Sequence, residues 1–289
     1  MVTYKSAYEE AVAVLRENGT ENAEFDCACL FEKAFGKAHR TFKLSESYGE
    51  SACEKKYKAF LSDVSRRKNG EPLQYILGEW EFYGLPFKVG KGVLIPRQDT
   101  ETLVEIAALK MKDKKNIEII DLCAGSGCVG IALEKKLDVK KLVFVEKSKE
   151  AKAFLEENIK LNGSAAEIIL GDVLSEKTAE NAPQADLITC NPPYLTAEDM
   201  KNLQREVTFE PETALFGGTD GLDFYREITR LWKKKLKYGG VLAFEIGMGM
   251  EDEVSRIMIQ HGFKNVRYRP DLCGVNRVVC GENITLETD

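Results

Sequence analysis

The chain has 289 residues, 44% of them hydrophobic and 30% charged, a balance that excludes collagen-like, coiled-coil and disordered proteins. Its 41 Lys and Arg against 47 Asp and Glu give a net charge of -6, so it lacks the positive field of a dedicated nucleic-acid binder and no stable nucleic-acid binding is expected. No apolar run is long enough to cross a bilayer, and the eight cysteines show neither a CxxC pair nor the His spacing of a zinc site.

Reduced thiols, no metal, no membrane partner and a cytoplasmic location are therefore expected. From Thr3 to about Lys68, apolar residues recur at helical spacing. Ala7, Ala11, Val14 and Leu15 form one stripe, Cys29, Leu30, Ala34 and Phe35 a second, and Tyr57, Phe60, Leu61 and Val64 a third. The third ends in RRKNG, with cations in the last turn and Gly70 as a stop. Residues 1–75 are predicted as a small helical bundle. In GEWEFYGLPFKVG, bulky and polar residues alternate on both sides of Gly84, Leu85 and Pro86, which predicts a β-hairpin linker over residues 76–95.

After IPRQDTE and a helix from about Thr100 to Lys110, apolar strands alternate with amphipathic helices. The strands are IEIID to Asp121, KLVFVE to Glu146, AEIIL to Leu170, ADLITC to Cys190 and GGVLAFEI to Ile246. This alternation predicts an α/β domain over residues 96–289, with right-handed crossovers and a parallel sheet covered on both faces. KNVRYRP and NRVVCGE have no helix between them, so the last strand is expected to return antiparallel beside its neighbour.

In DLCAGSGCVGIAL, Gly125, Gly127 and Gly130 satisfy GxGxxG between a strand and a helix, where missing Cβ atoms let backbone N–H groups approach a ligand. The next strand ends in Glu146, whose carboxylate can accept both hydroxyls of a ribose. Two acids favour S-adenosylmethionine over a dinucleotide. Asp121 can face the ammonium of a methionine moiety but would repel a pyrophosphate, and Asp172, in GDV after the third strand, can accept from the adenine amino group.

CNPPY follows the fourth strand at the same sheet edge. Proline cannot donate a hydrogen bond, and its fixed φ aims neighbouring carbonyls into the site, so the turn presents acceptors. Acceptors suit an NH₂ group on a planar system, an amide or an amino-base, whose lone pair is delocalised. The Asn191 side-chain oxygen and the Pro192 carbonyl can hold its N–H groups and raise electron density on the nitrogen, while Tyr194 lies against the flat group. No strong general base is needed. This agrees with the presence of only two histidines, His39 and His261, both read as surface residues.

With these residues in place, the chain resembles the class I, seven-stranded S-adenosylmethionine-dependent methyltransferases, and within them the peptide chain release factor glutamine methyltransferases. The resemblance rests on RRKNGEPLQYILGEWEFYGLPFKV, IPRQDTE, DLCAGSG, NPPY, EVTFEPETALFGGTDGLDFYREI and DLCGVNRVV. It implies cofactor contacts from Cys123, Ala124, Gly125, Ser126 and Gly127, from Glu146, and near Asp172 and Val173, with S-adenosylhomocysteine as product. It also implies that Asn191, Pro192, Pro193 and Tyr194 cradle a glutamine amide, with Asn191 also beside the cofactor. The substrate so implied is the Gly-Gly-Gln loop of class I release factors, recognised with the help of the N-terminal helical domain and docked between the domains. Cys123, Glu146, Gln98 and Cys190 stand where the family often has glycine, aspartate, proline and serine.

The main alternative is an adenine N6-methyltransferase, because an exocyclic amine on a flipped base could use the same acceptor turn. A dinucleotide-dependent oxidoreductase would leave that turn unexplained. A scaffold that binds cofactor without turnover would not need Asn191.

Overall fold

The computed structural model describes residues 3–41 and 51–284. Contacts divide the chain into two compact units, Met1–Glu79 with Gln204–Phe209, and Trp80–Leu203 with Glu210–Asp289.

The first unit is helical. α1 (Tyr4–Glu17) starts at a capping box in which Thr3 and Ser6 satisfy each other's backbone N–H groups. α2 (Ala23–Phe35) and α4 (Leu73–Leu77) stop at Gly36 and Gly78 in the left-handed region, and α3 is Ser51–Lys68. Their core is aromatic: Phe31 packs at 4.4 Å from Phe35 and 5.4 Å from Phe60 between ring centroids. The buried stripes are shifted from the expected ones. Val12 rather than Val14 is buried on α1, and Cys27 and Phe31 replace Cys29 and Ala34 on α2. On α3, Leu61 is exposed while Asp63 and Arg67 are buried. The reason is a polar core: the Arg67 Nε donates to Asp26 Oδ2 at 2.6 Å, and the guanidinium also pairs with Glu206 of the segment Gln204–Phe209. The expected helical stretch also crosses residues 42–50, which lie outside the described residues, as does the side chain of His39.

The second unit begins within a hairpin of β1 (Glu79–Phe82) and β2 (Leu85–Lys88). Its turn is Tyr83-Gly84, both at positive φ, so Leu85 and Pro86 belong to the second strand rather than to the turn. The main sheet contains β3 (Ile117–Leu122), β4 (Val139–Glu146), β5 (Glu167–Leu170), β6 (Ala185–Cys190), β7 (Leu236–Glu245), β8 (Lys264–Pro270) and β9 (Asn276–Asn283). Its order is β5-β4-β3-β6-β7-β9-β8. The strands from β5 to β7 are parallel, and β9 runs antiparallel between β7 and β8, matching the expected return of the last strand.

The helices are α5 (Glu101–Met111), α6 (Cys128–Lys136), α7 (Lys149–Leu161), α8 (Glu176–Asn181), α9 (Asp223–Trp232) and α10 (Glu251–Gln260). Alternate strand residues feed two apolar layers: Ile120, Val145, Ile188 and Phe244 pack with Tyr225, Trp232 and Met258, whereas Ile119, Phe144, Leu187 and Ala243 pack with Leu103, Val104 and Ile131. Burial on both faces explains why these strands read as unbroken apolar runs. Register aligns their carboxyl ends, pairing Leu122 with Val145 and Cys190, Glu146 with Leu170, and Cys190 with Phe244.

Candidate active site

The aligned strand ends open onto a cavity of about 820 Å³ within the second unit. Of the residues expected at the site, Asp121, Cys123, Ala124, Gly125, Ser126, Glu146, Asp172, Val173, Asn191 and Pro193 line it together. Gly127, Pro192 and Tyr194 do not.

The glycines divide by task. Gly125 has a φ of +54°, and a Cβ built on it would meet nothing nearer than 4.0 Å, so its bare face borders the cavity. At Gly127 a Cβ would fall 2.4 Å from Leu155 Cδ1, and at Gly130 2.4 Å from Phe144 Cε1. Gly127 lets the start of α6 approach α7 and Gly130 lets α6 pack on the sheet; only Gly125 of the three can serve a ligand directly.

Each strand-end acid organises backbone. Glu146 is buried and accepts from the Gly125 N–H at 2.8 Å and the Ser148 N–H at 2.7 Å, tying the glycine turn to the start of α7. Asp121 accepts from the Gly130 N–H at 3.0 Å and from Thr189 Oγ1 at 2.8 Å. Burial raises the Asp121 carboxyl to about 7 against the pull of those two donors. Asp172 accepts from the Leu174 N–H at 2.9 Å and pairs with Lys147 at 2.8 Å. Burial acts to raise its carboxyl, but the lysine and the N–H outweigh it and leave the group below its ordinary range.

The CNPPY turn is held by the FGGTDG segment. Leu195 N–H donates to Leu215 O and Gly217 N–H to Leu195 O, both at 2.9 Å. A Cβ on Gly217 would come within 2.6 Å of Pro193 O and Tyr194 Cα, so only glycine allows this approach. The Tyr194 ring rests on Gly247 rather than on the cavity, and burial raises its hydroxyl to about 12. His261 ends α10, where its Nδ1 meets Ile257 O at 2.9 Å.

Asn191 Nδ2 donates to Thr100 Oγ1 at 3.3 Å. Beside this pair stands Glu245, 3% exposed at the end of β7. Arg97 lines the cavity and pairs with buried Glu210, which also accepts from the Ile95 N–H at 3.1 Å. Thr100, Glu245, Arg97, Phe216 and Phe224 were not anticipated from sequence. For Glu245 a signal existed, since it stands at the same sheet edge as Asp121 and Glu146. Phe216 and Phe224 lie in EVTFEPETALFGGTDGLDFYREI, one of the segments that carry the resemblance, but no pattern within it distinguishes a cavity wall from a core. Among the described residues no cluster of His, Cys, Asp or Glu could hold a metal ion, and no helix is long and apolar enough to cross a membrane.

A sheet of this order, with a glycine turn, strand-end acids and a proline-flanked asparagine around one cavity, defines a small-molecule-dependent methyltransferase domain. Residues 97–217 match the Methyltransferase small domain, and residues 6–78 match the PrmC N-terminal domain. The release factor glutamine methyltransferase of Clostridium acetobutylicum is 37% identical over 286 residues, spanning 95% of this chain and 96% of that protein. That of Geobacter sulfurreducens is 38% identical over 268 residues, 92% of either chain. The chain belongs to the release factor glutamine methyltransferase family, and these relatives do not favour the adenine alternative. In fold it is similar to a Pyrococcus furiosus methyltransferase, with a TM-score of 0.52 at 15% identity over 70% of this chain and 90% of that one.

Proposed function

We propose that this enzyme transfers a methyl group from S-adenosylmethionine to the side-chain amide nitrogen of the glutamine in the Gly-Gly-Gln motif of class I peptide chain release factors. The observation that carries this reading is Asn191, which lines the cavity at the end of β6 with its side-chain amide 3.3 Å from Thr100 Oγ1 and has an oxygen that can accept from a substrate N–H.

The cavity fits the cofactor: it has room for a nucleoside with an amino-acid arm, acids at three strand ends, and an open glycine face where a Cβ would intrude. Glu146 would meet the ribose, Asp172 and Val173 the adenine end, and Asp121 with the Cys123–Gly127 turn the amino-acid end. Gly127 acts there through the turn's conformation. When bound, S-adenosylmethionine supplies an electrophilic methyl group on a sulfonium sulfur.

The chain's own task is to orient a weak nucleophile. Asn191 Oδ1 and the Pro192 carbonyl would accept the amide N–H groups, hold the nitrogen's lone pair toward the methyl, and increase the density on it. The nitrogen becomes acidic as its new bond forms, so its proton can leave to water or to the same acceptors without a strong base. Pro193 and Tyr194 keep the turn rigid through Gly217 and Gly247. The helical unit would recognise the protein substrate, and a role in translation termination would call for a cytoplasmic enzyme.

The test is incubation with S-adenosylmethionine and a purified class I release factor, followed by peptide mass spectrometry. A methyl group on the Gly-Gly-Gln glutamine, absent when that glutamine is changed to alanine, is expected. Cofactor binding with no methyl at that residue would overturn the assignment.

A further inference from the structure

We propose that Glu245 is a positioning residue for methyl transfer: it fixes the rotation of the Asn191 amide so that Oδ1, and not Nδ2, is offered to the substrate nitrogen. This rests on the reading of Asn191 as the substrate's acceptor.

Register brings the two residues together. Phe244 pairs with Cys190, so Glu245 and Asn191 leave neighbouring parallel strands side by side. The backbone there is pinned by Tyr225, whose buried hydroxyl donates to Glu245 O at 2.9 Å. Thr100 and Asn191, joined to each other at 3.3 Å, are the polar side chains beside the carboxylate, and among the described residues its Oε2 is buried with no hydrogen-bond partner. A buried carboxylate with an orphaned oxygen is costly, and an apolar residue would end this strand more cheaply. That cost points to a function.

The chemistry of the neighbours identifies it. Thr100 can donate or accept, so at 3.3 Å it is compatible with either rotation of the Asn191 amide. An ionised carboxylate only accepts, so Glu245 admits Nδ2 and turns Oδ1 toward the cavity. Polar contacts in unloaded sites are commonly long and tighten when substrate arrives. Donation from Nδ2 to a carboxylate also draws negative charge onto Oδ1, which strengthens it as an acceptor.

The groups facing Glu245 are Arg277 from β9, Asp99 and Thr100 before α5, Cys190, Asn191 and Tyr194 at the end of β6, Tyr225 from α9 and Cys128 from α6. Burial raises the Glu245 carboxyl to about 7. Once protonated, its own O–H competes for Asn191 Oδ1, so turnover should rise as the group ionises.

The experiment measures kcat with saturating S-adenosylmethionine and release factor from about pH 6 to about pH 8 in the wild type, Glu245→Leu and Glu245→Gln, with cofactor affinity by calorimetry. Glu245→Leu should lower kcat by about tenfold or more, the scale for a misplaced acceptor, with cofactor affinity and KM within about twofold. Glu245→Gln should restore part of that loss and remove the wild type's rise through about pH 7. Asp121 is raised to about 7 as well, but it titrates alike in every variant, so the difference between profiles belongs to Glu245. Unchanged kcat in Glu245→Leu, a loss confined to KM or affinity, or an intact rise in Glu245→Gln overturns the proposal. Should Glu245→Leu fail to fold, the Glu245→Gln profile decides. A wild type that never methylates the glutamine overturns the parent reading too, whereas an active wild type with indifferent variants overturns only the role of Glu245.

Discussion

Asn191 and Gly125 show how far single positions can be read. A polar residue between an apolar strand and two prolines has few structural uses, and the strand's end in the sequence already puts Asn191 at the ligand edge of an α/β sheet. Replacing it with alanine should leave S-adenosylmethionine affinity nearly intact by calorimetry while lowering kcat by about a hundredfold or more; near-normal turnover would sink the acceptor mechanism. The glycine motif was legible as a turn but not as a division of tasks, because spacing cannot tell a Cβ facing a cavity from one facing Phe144 or Leu155. Thr100 was hidden for a similar reason. In QDTE it reads as a helix start, and its contact with Asn191 joins residues far apart in sequence.

At the scale of elements, the inner strands β3, β4, β6 and β7 were visible as apolar runs, because both of their faces are buried, whereas β8 is exposed along most of its length and was legible only from the lack of a helix between it and β9. The amphipathic helices were less faithful. α3 buries Asp63 and Arg67 and exposes Leu61, since a buried ion pair with Asp26 sets its inward face and hydrophobicity alone gives the wrong one. Packing of α6 supplies a sharper test. Gly130→Ala would drive a methyl group into the Phe144 ring and should reduce unfolding free energy by about 1–3 kcal/mol in a denaturant titration. An unchanged midpoint would mean that the ring yields without penalty and that the glycine is not required for packing.

For the whole molecule, the buried acids link stability to pH in an unusual direction. The Glu245 carboxyl is raised from its ordinary 4.5 to about 7. A group raised on folding contributes stability below its unfolded pKa and loses it as pH climbs through the folded one. The unfolding free energy of the wild type, compared with that of Glu245→Gln, should therefore decline between about pH 5 and about pH 8, by on the order of a few kcal/mol. A difference that stays flat across that window would show that the carboxyl titrates normally. Sequence order also suggested consecutive domains, and the helical and α/β halves were legible from their periodicities. The membership of Gln204–Phe209 in the first unit was not, because a short polar segment carries no periodicity and its partner, Arg67, lies 139 residues away.

That stitched-in segment bears on how this architecture can be cut and recombined. The helical unit is discontinuous in sequence, so a fragment ending at Glu79 would leave Arg67 without Glu206 and Gly70 without the Arg205 side chain that covers it. Exchanging the helical unit between relatives would require three junctions rather than one, at Glu79/Trp80, Leu203/Gln204 and Phe209/Glu210. A graft that moves only the N-terminal piece would pair a foreign bundle with a native strap. The fold of the helical unit in such chains is thus tied to a short internal insert as much as to the N-terminal region.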